Sequence, residues 1–334
     1  MKIQDRIYGE VEIKDQVILD LIESKAITRL GKINQYGAIY QLYPQFFTTR
    51  REHSIGVMIL LKKLGASIEE QIAGLIHDVP HTAFSHVIDY VFGDEKMETS
   101  YHETIQKETY QKSDIPAFLD KYNLDKDLIF DVHNFSLLER DLPDLCADRV
   151  DYILRDLLTY DLFSKKEIYF ILENLISYEG EIILKDEEAA FLLATKSIEA
   201  NEKIWSSPYQ ILLAKTLADI IKLALDRKYI ERSDLHGTDN RLYRKLTSIE
   251  DKDIKDLLKL MTKKIVVVSN EEDYQMHVYT KLRIINPKIL KDDKVYKLSD
   301  LNKEYCKLRE DYIKKHEKGF KLNIRERKVG EIIN

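Results

Sequence analysis

Six prolines and 11 glycines in 334 residues leave few helix breakers and little material for elaborate turns. That scarcity suits long helices. Cysteine is scarcer still, with only Cys146 and Cys306, far apart and in no CxxC pattern. This excludes a disulfide framework or a cysteine metal knuckle and fits a reducing cytosol, with both thiols expected as small buried hydrophobes. No apolar run approaches the length of a bilayer span. The charged start, Met1 to Arg6, lacks the apolar core of a signal peptide. A cytoplasmic location is expected. An excess of positive charge is also missing. The formal charge is −6, so the molecule as a whole is no electrostatic glue for nucleic acid, although a local basic pocket is compatible with it.

What is present is the composition of a soluble globular protein, 44% hydrophobic and 33% charged. The length allows one large domain and a smaller appendage. Histidine is concentrated: five of nine fall between positions 53 and 102. Three of them, with an aspartate, stand in the ten residues from His77 to His86. Imidazoles and carboxylates together make a good site for a divalent transition metal. The clustering points to a metal-centred hydrolase.

Hydrophobic spacing predicts where these residues sit. A short extended lead precedes a helix carrying Val17, Ile18, Leu21, Ile22 and Ile27. Tyr36 to Phe47 reads as a loop or a short strand pair. A helix spans about Arg51 to Leu64. The next opens on Ser67-Ile68-Glu69-Glu70, the form of a capping box, and runs into His77-Asp78. Pro80 disfavours helix at Val79, so the His-Asp pair should sit at a helix end. Further helices are expected over Thr82 to Phe92, Asp141 to Tyr160 and Glu187 to about Arg227, with a weaker strand pair near Glu181 to Lys185. The last 80 or so residues change character: Lys264 to Val268 is β-branched and Tyr274 to Ile285 roughly alternates. The charged tail from Lys314 to Arg327 reads as solvated or frayed.

A metal site built from several helices needs a group beyond His53, His77 and Asp78. The expected helix over Asp141 to Tyr160 offers one. Its residues Asp148, Tyr152, Arg155 and Asp156 share a face that could line a polar cavity.

The order His…His-Asp…Asp resembles that of the HD-domain metal-dependent phosphohydrolases, and most closely their dNTP triphosphohydrolase branch. The resemblance is an ordered series: Asp5 to Gly9, Arg29 to Gly37, Arg50 to Val57, the His77–His86 segment, Tyr101 to Glu103, Asp148 to Asp156 and Pro208 to Gln210. It covers roughly the first two thirds of the chain. It implies a mainly α fold, an HD-type helical bundle over 1–250, followed by a small α+β region over 251–334. It implies one divalent metal ion, held by His53, His77, Asp78 and Asp148. It places His81, His86 and His102 around the scissile phosphate, with Asp89 tuning His86. Arg50, Arg149, Tyr152 and Asp156 would hold phosphates and sugar; Gln35, Tyr209 and Gln210 would meet the nucleoside. His86 is the expected general acid, with His81 as the alternative. Homo-oligomers are common among such relatives.

The pattern also has departures. Pro80, Thr82 and Ala83 replace small residues without touching a ligand. Asn201 stands where the triphosphohydrolases carry an arginine for the phosphate tail, and Ile211-Leu212 where they carry His-Lys. Glu23, Thr28 and Gly31 poorly match the branch's guanine-nucleotide site, so no GTP-driven tetramer is expected. His133, His236, His277 and His316 read as structural or surface residues. The leading expectation is hydrolysis of a dNTP to deoxynucleoside plus triphosphate. The alternatives are a phosphodiesterase or nucleotidase acting on a cyclic nucleotide, a monophosphate or a nucleic-acid end, and a nucleotide-binding regulatory protein with little turnover.

Overall fold

Helices dominate the chain because helix breakers are rare and apolar residues recur at helical spacing. In this computed structural model residues 1–93 and 100–326 are described. The fold is mainly α, with three small sheets. The extended lead is a hairpin of β1 (Lys2–Asp5) and β2 (Gly9–Glu12). Two short helices follow, Gln16–Ile22 and Lys25–Leu30, burying Ile18, Leu21, Ile27 and Leu30. Tyr36 to Phe47 forms no strand pair. It contains a 3-10 turn, Gly37–Gln41, and only an isolated bridge joins Asn34 to Thr49 nearby.

Three helices carry the centre. The helix Arg50–Lys63 starts at Thr49, whose side chain accepts the Glu52 N–H. The helix Ile68–Ile76 starts at Ser67, whose hydroxyl accepts the Glu70 N–H. The reciprocal half of that capping box is absent. The Glu70 carboxylate instead accepts the N–H groups of Leu137 and Leu138 at 2.9 and 3.0 Å. It thereby ties this helix to the chain that leads into the third, Ala147–Thr159.

That third helix starts later than its sequence pattern predicts. The N–H groups of Ala147 and Asp148 bond back to Leu137 and Leu138 carbonyls, so the chain before them follows a loop. The guanidinium of Arg149 holds this loop through the carbonyls of Asp144 and Arg140. Thr82 to Phe84 are not helical either. Ala83 donates to the Leu235 carbonyl and Phe84 to the Asp239 carboxylate, both outside any helical ladder. A 3-10 turn, Ser85–Ile88, then leads into a one-turn helix, Asp89–Phe92.

Strands β3 (Leu175–Tyr178) and β4 (Glu181–Leu184) form the second hairpin, beginning earlier than expected. The long helical stretch after Glu187 is two helices, Glu187–Ala200 and Pro208–Asp226, joined through a π-turn at Asn201–Trp205. Beyond residue 250 come β5 (Ile265–Ser269), β6 (Met276–Val278), β7 (Lys288–Lys291), β8 (Lys294–Lys297) and β9 (Phe320–Glu326). The orders are β3-β4-β7-β8 and β5-β9-β6. Because β4 pairs with β7, one sheet crosses position 250. From Tyr279 to Pro287 the chain is irregular rather than a continued strand.

The tail is more ordered than its charge suggests. Lys314 to His316 end the helix Lys303–His316, and β9 lies between β5 and β6 with Leu322 fully buried. Cross-strand pairing and that apolar contact outweigh the solvation of the charged side chains. Arg327 lies outside the described residues. Cys146 is buried as expected, whereas Cys306 is only half-buried. Among the described residues no helix is long and apolar enough to cross a membrane.

Candidate metal centre and its cavity

His53 projects from the first turn of its helix and His77 from the C-terminal end of the next. Both rings are fixed through Nδ1. His53 Nδ1 pairs with Asp151 at 2.8 Å, and His77 Nδ1 with the Gly74 carbonyl at 2.7 Å. Each therefore presents Nε2 to a common point, the arrangement that ligating histidines need. Asp148 meets it from the third helix, 2.8 Å from His53 Nε2 and 3.5 Å from His77 Nε2. One donor atom from each of His53, His77 and Asp148 lies within 4.8 Å of the others. Asp78 adjoins both rings, 3.4 Å from His77 Nε2 and 3.9 Å from His53 Nε2.

These donors fit a divalent cation. His77 Nε2 is buried and has no hydrogen-bond partner among the described residues, although two carboxylates lie beside it. An orphaned buried nitrogen is costly unless something else satisfies it. Two imidazoles and two carboxylates suit Mn, Fe, Co, Zn or Mg. Burial opposes charge on His53, yet hydrogen bonds to the accepting carboxylates of Asp148 and Asp151 outweigh it and push the imidazole up to about 10. Burial would also raise Asp78, but Arg50 and the neighbouring histidines hold it well below the usual carboxylate range. The site favours positive charge at its centre.

A second group stands next to the first. His86 Nδ1 pairs with Asp89 at 2.9 Å, and the other Asp89 oxygen accepts the Tyr101 N–H at 2.8 Å. His102 stacks on His81 with ring centroids 3.9 Å apart. Burial lowers all three imidazoles, His81 well below the ordinary value and His102 to about 3. His81 Nε2 lies 3.2 Å from Asp78 and so bridges the two groups. The turn that delivers His86 is strained. Phe84 and Ser85 both adopt left-handed φ, 63° and 51°. Asp239 holds it, accepting N–H groups from Asn34 and Phe84 at 2.7 Å each.

Both groups open into one cavity of about 1380 Å³. Every residue of the expected site lines it except Tyr209. Tyr209 turns away to donate to the Thr262 carbonyl at 2.8 Å. Its apolar neighbours Ile211 and Leu212 are buried, and helix periodicity carries Gln210, not Tyr209, to the cavity face. Gln35 and Gln210 each have a buried amide Oε1 without a partner among the described residues. His133 is exposed, as expected of a surface residue, and also lines the cavity. It arrives on the short 3-10 turn Val132–Asn134.

Several expected contacts are already engaged. Arg50 Nη1 reaches both Asp78 oxygens at 3.0 and 3.1 Å, and its Nε donates to Ser85. Asp156 accepts from Tyr36 at 3.0 Å and from Trp205 Nε1 at 2.7 Å. Burial raises it to about 6. Tyr152 meets Trp205 edge-on. Arg155 does not share the cavity face. It is completely buried among Asp5, Glu52 and Asp151.

Residues 50–156 match the HD domain family model, and the ordered donors are those of its name. Three similar proteins frame the match. The uncharacterized protein YdhJ of Bacillus subtilis is 38% identical over 97% of this chain and 99% of its own length. The metal-dependent phosphohydrolase cns2 of Cordyceps militaris is 33% identical over 63% of this chain and 62% of its own. A hypothetical protein from Aquifex aeolicus, solved by crystallography, superposes with a TM-score of 0.69 at 17% identity, covering 98% and 96% of the two chains. This chain belongs to the HD-domain metal-dependent phosphohydrolase family.

Sequence reasoning about this HD protein overlooked Asp151, which orients His53, and Trp205, which orients Asp156. Asp151 stands one turn before Arg155, an i,i+4 pair of opposite charge that was readable as a unit. Trp205 is the sole tryptophan but sits in a π-turn, which helical spacing does not anticipate.

Proposed function

We propose that the protein hydrolyses a phosphate ester of a nucleotide, and that the reaction is conversion of a dNTP to deoxynucleoside plus triphosphate. The observation that carries the reading is the convergence of His53, His77 and Asp148 beside the His86–Asp89 pair in one cavity. A divalent cation held at the first group makes water a better nucleophile at neutral pH and offsets phosphoryl charge. The residues of the chain then have separate tasks. Asp151 and the Gly74 carbonyl orient the two imidazoles. His86, aligned by Asp89, is within the cavity to protonate the leaving oxygen, and burial makes its imidazolium a stronger acid. Tyr152 and Trp205 supply an aromatic wall for a nucleoside, and the free amide oxygens of Gln35 and Gln210 can accept from a base. The ordered motif series favours the dNTP branch.

A second reading is hydrolysis of a single phosphate on a nucleoside monophosphate. It is favoured by Arg50, which already neutralises Asp78, and by Ile211 on the cavity wall. A substrate panel with Mn²⁺ or Mg²⁺ decides between them. It contains the four dNTPs, nucleoside monophosphates, cyclic nucleotides and short DNA. Release of inorganic triphosphate from a dNTP supports the first reading, and release of orthophosphate from a monophosphate the second. No turnover of any of them defeats both and leaves a nucleotide-binding regulator.

A further inference from the structure

Asn201 stands where the triphosphohydrolases it resembles carry an arginine, yet both ends of its amide meet the backbone of another arginine, with one further bond to the Ser197 carbonyl. It is completely buried at the start of the π-turn. Its Oδ1 accepts the Arg283 N–H at 3.0 Å, and its Nδ2 donates to the Arg283 carbonyl at 3.0 Å. Ser197 Oγ donates to the same carbonyl at 3.3 Å. Both backbone groups of Arg283 are thus clamped, in a segment that belongs to no helix or strand. A buried side-chain amide used in this way fixes a loop in place.

The clamp delivers a cation. The Arg283 side chain lines the same cavity as the metal donors. Four arginines line that cavity, and the other three are engaged. Arg50 is paired with Asp78, Arg140 with Glu181, and Arg149 with the loop carbonyls of Asp144 and Arg140. The Arg283 guanidinium has no ion pair among the described residues, and its only hydrogen bond there is a 3.5 Å contact to the Lys281 carbonyl. It is half-buried, and its charge is felt at His86, Tyr90 and Tyr152. Lys281, two residues earlier, lines the cavity and likewise has no ion pair among the described residues. A partly desolvated guanidinium beside a phosphohydrolase centre is suited to bind phosphate oxygens through its planar fork.

We propose that Arg283, positioned by Asn201, grips the phosphates of the substrate beyond the scissile one and so sets the preference for a polyphosphate chain. The C-terminal region thereby supplies the phosphate-tail cation that the helical bundle lacks at position 201. The inference rests on the phosphohydrolase reading for its substrate but not for its binding test.

The test uses the full chain loaded with Mn²⁺ and compares wild type with Arg283→Gln, Arg283→Lys and Asn201→Ala. Inorganic triphosphate binding is measured by calorimetry. KM and kcat are measured on dATP, dAMP and p-nitrophenyl phosphate. Arg283→Gln should weaken triphosphate binding roughly tenfold to a hundredfold, the worth of one charge-assisted contact. The rise in KM should be at least about tenfold greater for dATP than for the two single-phosphate esters. Arg283→Lys should recover part of the loss, and Asn201→Ala should give a milder version of it. An effect below about twofold on triphosphate binding overturns the proposal. So does an equal loss on single and triple phosphates, or a wild type that binds no triphosphate. If the wild type hydrolyses nothing, the hydrolase reading fails while the calorimetric comparison still judges Arg283.

Discussion

Asp151 joins a buried imidazole to a buried guanidinium with one carboxylate: its Oδ2 lies 2.8 Å from His53 Nδ1 and accepts Arg155 Nε at 2.9 Å. Tyr8 donates to the other oxygen at 2.9 Å. The negative charge that orients a metal-facing histidine is thereby anchored to the N-terminal hairpin. Asp151→Asn keeps the shape and removes the charge. We expect metal affinity to fall about tenfold to a hundredfold, as is usual when the partner behind a ligating histidine is lost. Calorimetric titration with Mn²⁺ checks this, and an unchanged affinity would assign Asp151 to folding alone.

Gly56 is required by the same network. A Cβ there would lie 2.0 Å from Arg155 Nη2 and 2.1 Å from Asp151 Oδ1. Neither atom can yield without breaking a fully buried ion pair. Gly56→Ala should therefore cost about 3 kcal/mol or more, the range for disrupting such a pair. A fall in Tm of several degrees by thermal denaturation is the expected result. Glycine at a helix interior is otherwise a slight weakness, so a more stable alanine variant would contradict the packing described.

The candidate metal donors that the structure brings together were legible in the sequence because they are local signals: a His-Asp dipeptide at a helix end, a histidine one helix earlier, an aspartate on a third helix. Their convergence follows from packing together three largely buried helices. What was not legible depends on contacts between distant segments. Tyr209 carried the family motif but faces Thr262, since its orientation is set by the helix face and not by the motif. The strained turn at Phe84–Ser85 depends on Asp239, more than 150 positions later, and no local propensity announces it. The order of β9 in the charged tail depends on two partner strands that lie earlier in the chain.

Removing the metal should abolish turnover. Dialysis against a chelator, followed by activity measurement on the substrate found in the panel, should show complete loss. Adding Mn²⁺ should restore it. His53→Ala and Asp148→Ala should lower bound metal well below one ion per chain by elemental analysis. Full activity in a chelated sample would overturn the metal-centred mechanism.

His86 and Asp89 lie apart from the metal donors, so their loss should be separable from metal binding. His86→Gln should lower kcat by about 10²- to 10⁴-fold, the usual contribution of a positioned acid, with metal content retained. Asp89→Asn should give a smaller loss and move the alkaline limb of the pH–rate profile to lower pH, because the Asp89 carboxylate acts through His86 by favouring its protonated form. If His86→Gln leaves kcat intact and His81→Gln does not, the general acid is His81.

Asp239 makes the turn that carries His86 sensitive to pH. Burial raises its carboxyl to about 6, although two backbone N–H bonds oppose the shift. In the unfolded chain an aspartate titrates near about 3.9. Between those values the folded protein holds the proton more tightly, so this residue's contribution to stability falls as pH rises through the window. It is largest below about pH 4 and reduced by up to ~3 kcal/mol above about pH 6. Asn cannot titrate. Unfolding by urea at pH 4, 5, 6 and 7 should therefore show wild type gaining on Asp239→Asn as the pH is lowered. A constant difference between the two across that range would mean that Asp239 is ionised throughout, and that its bonds to Asn34 and Phe84 outweigh its burial.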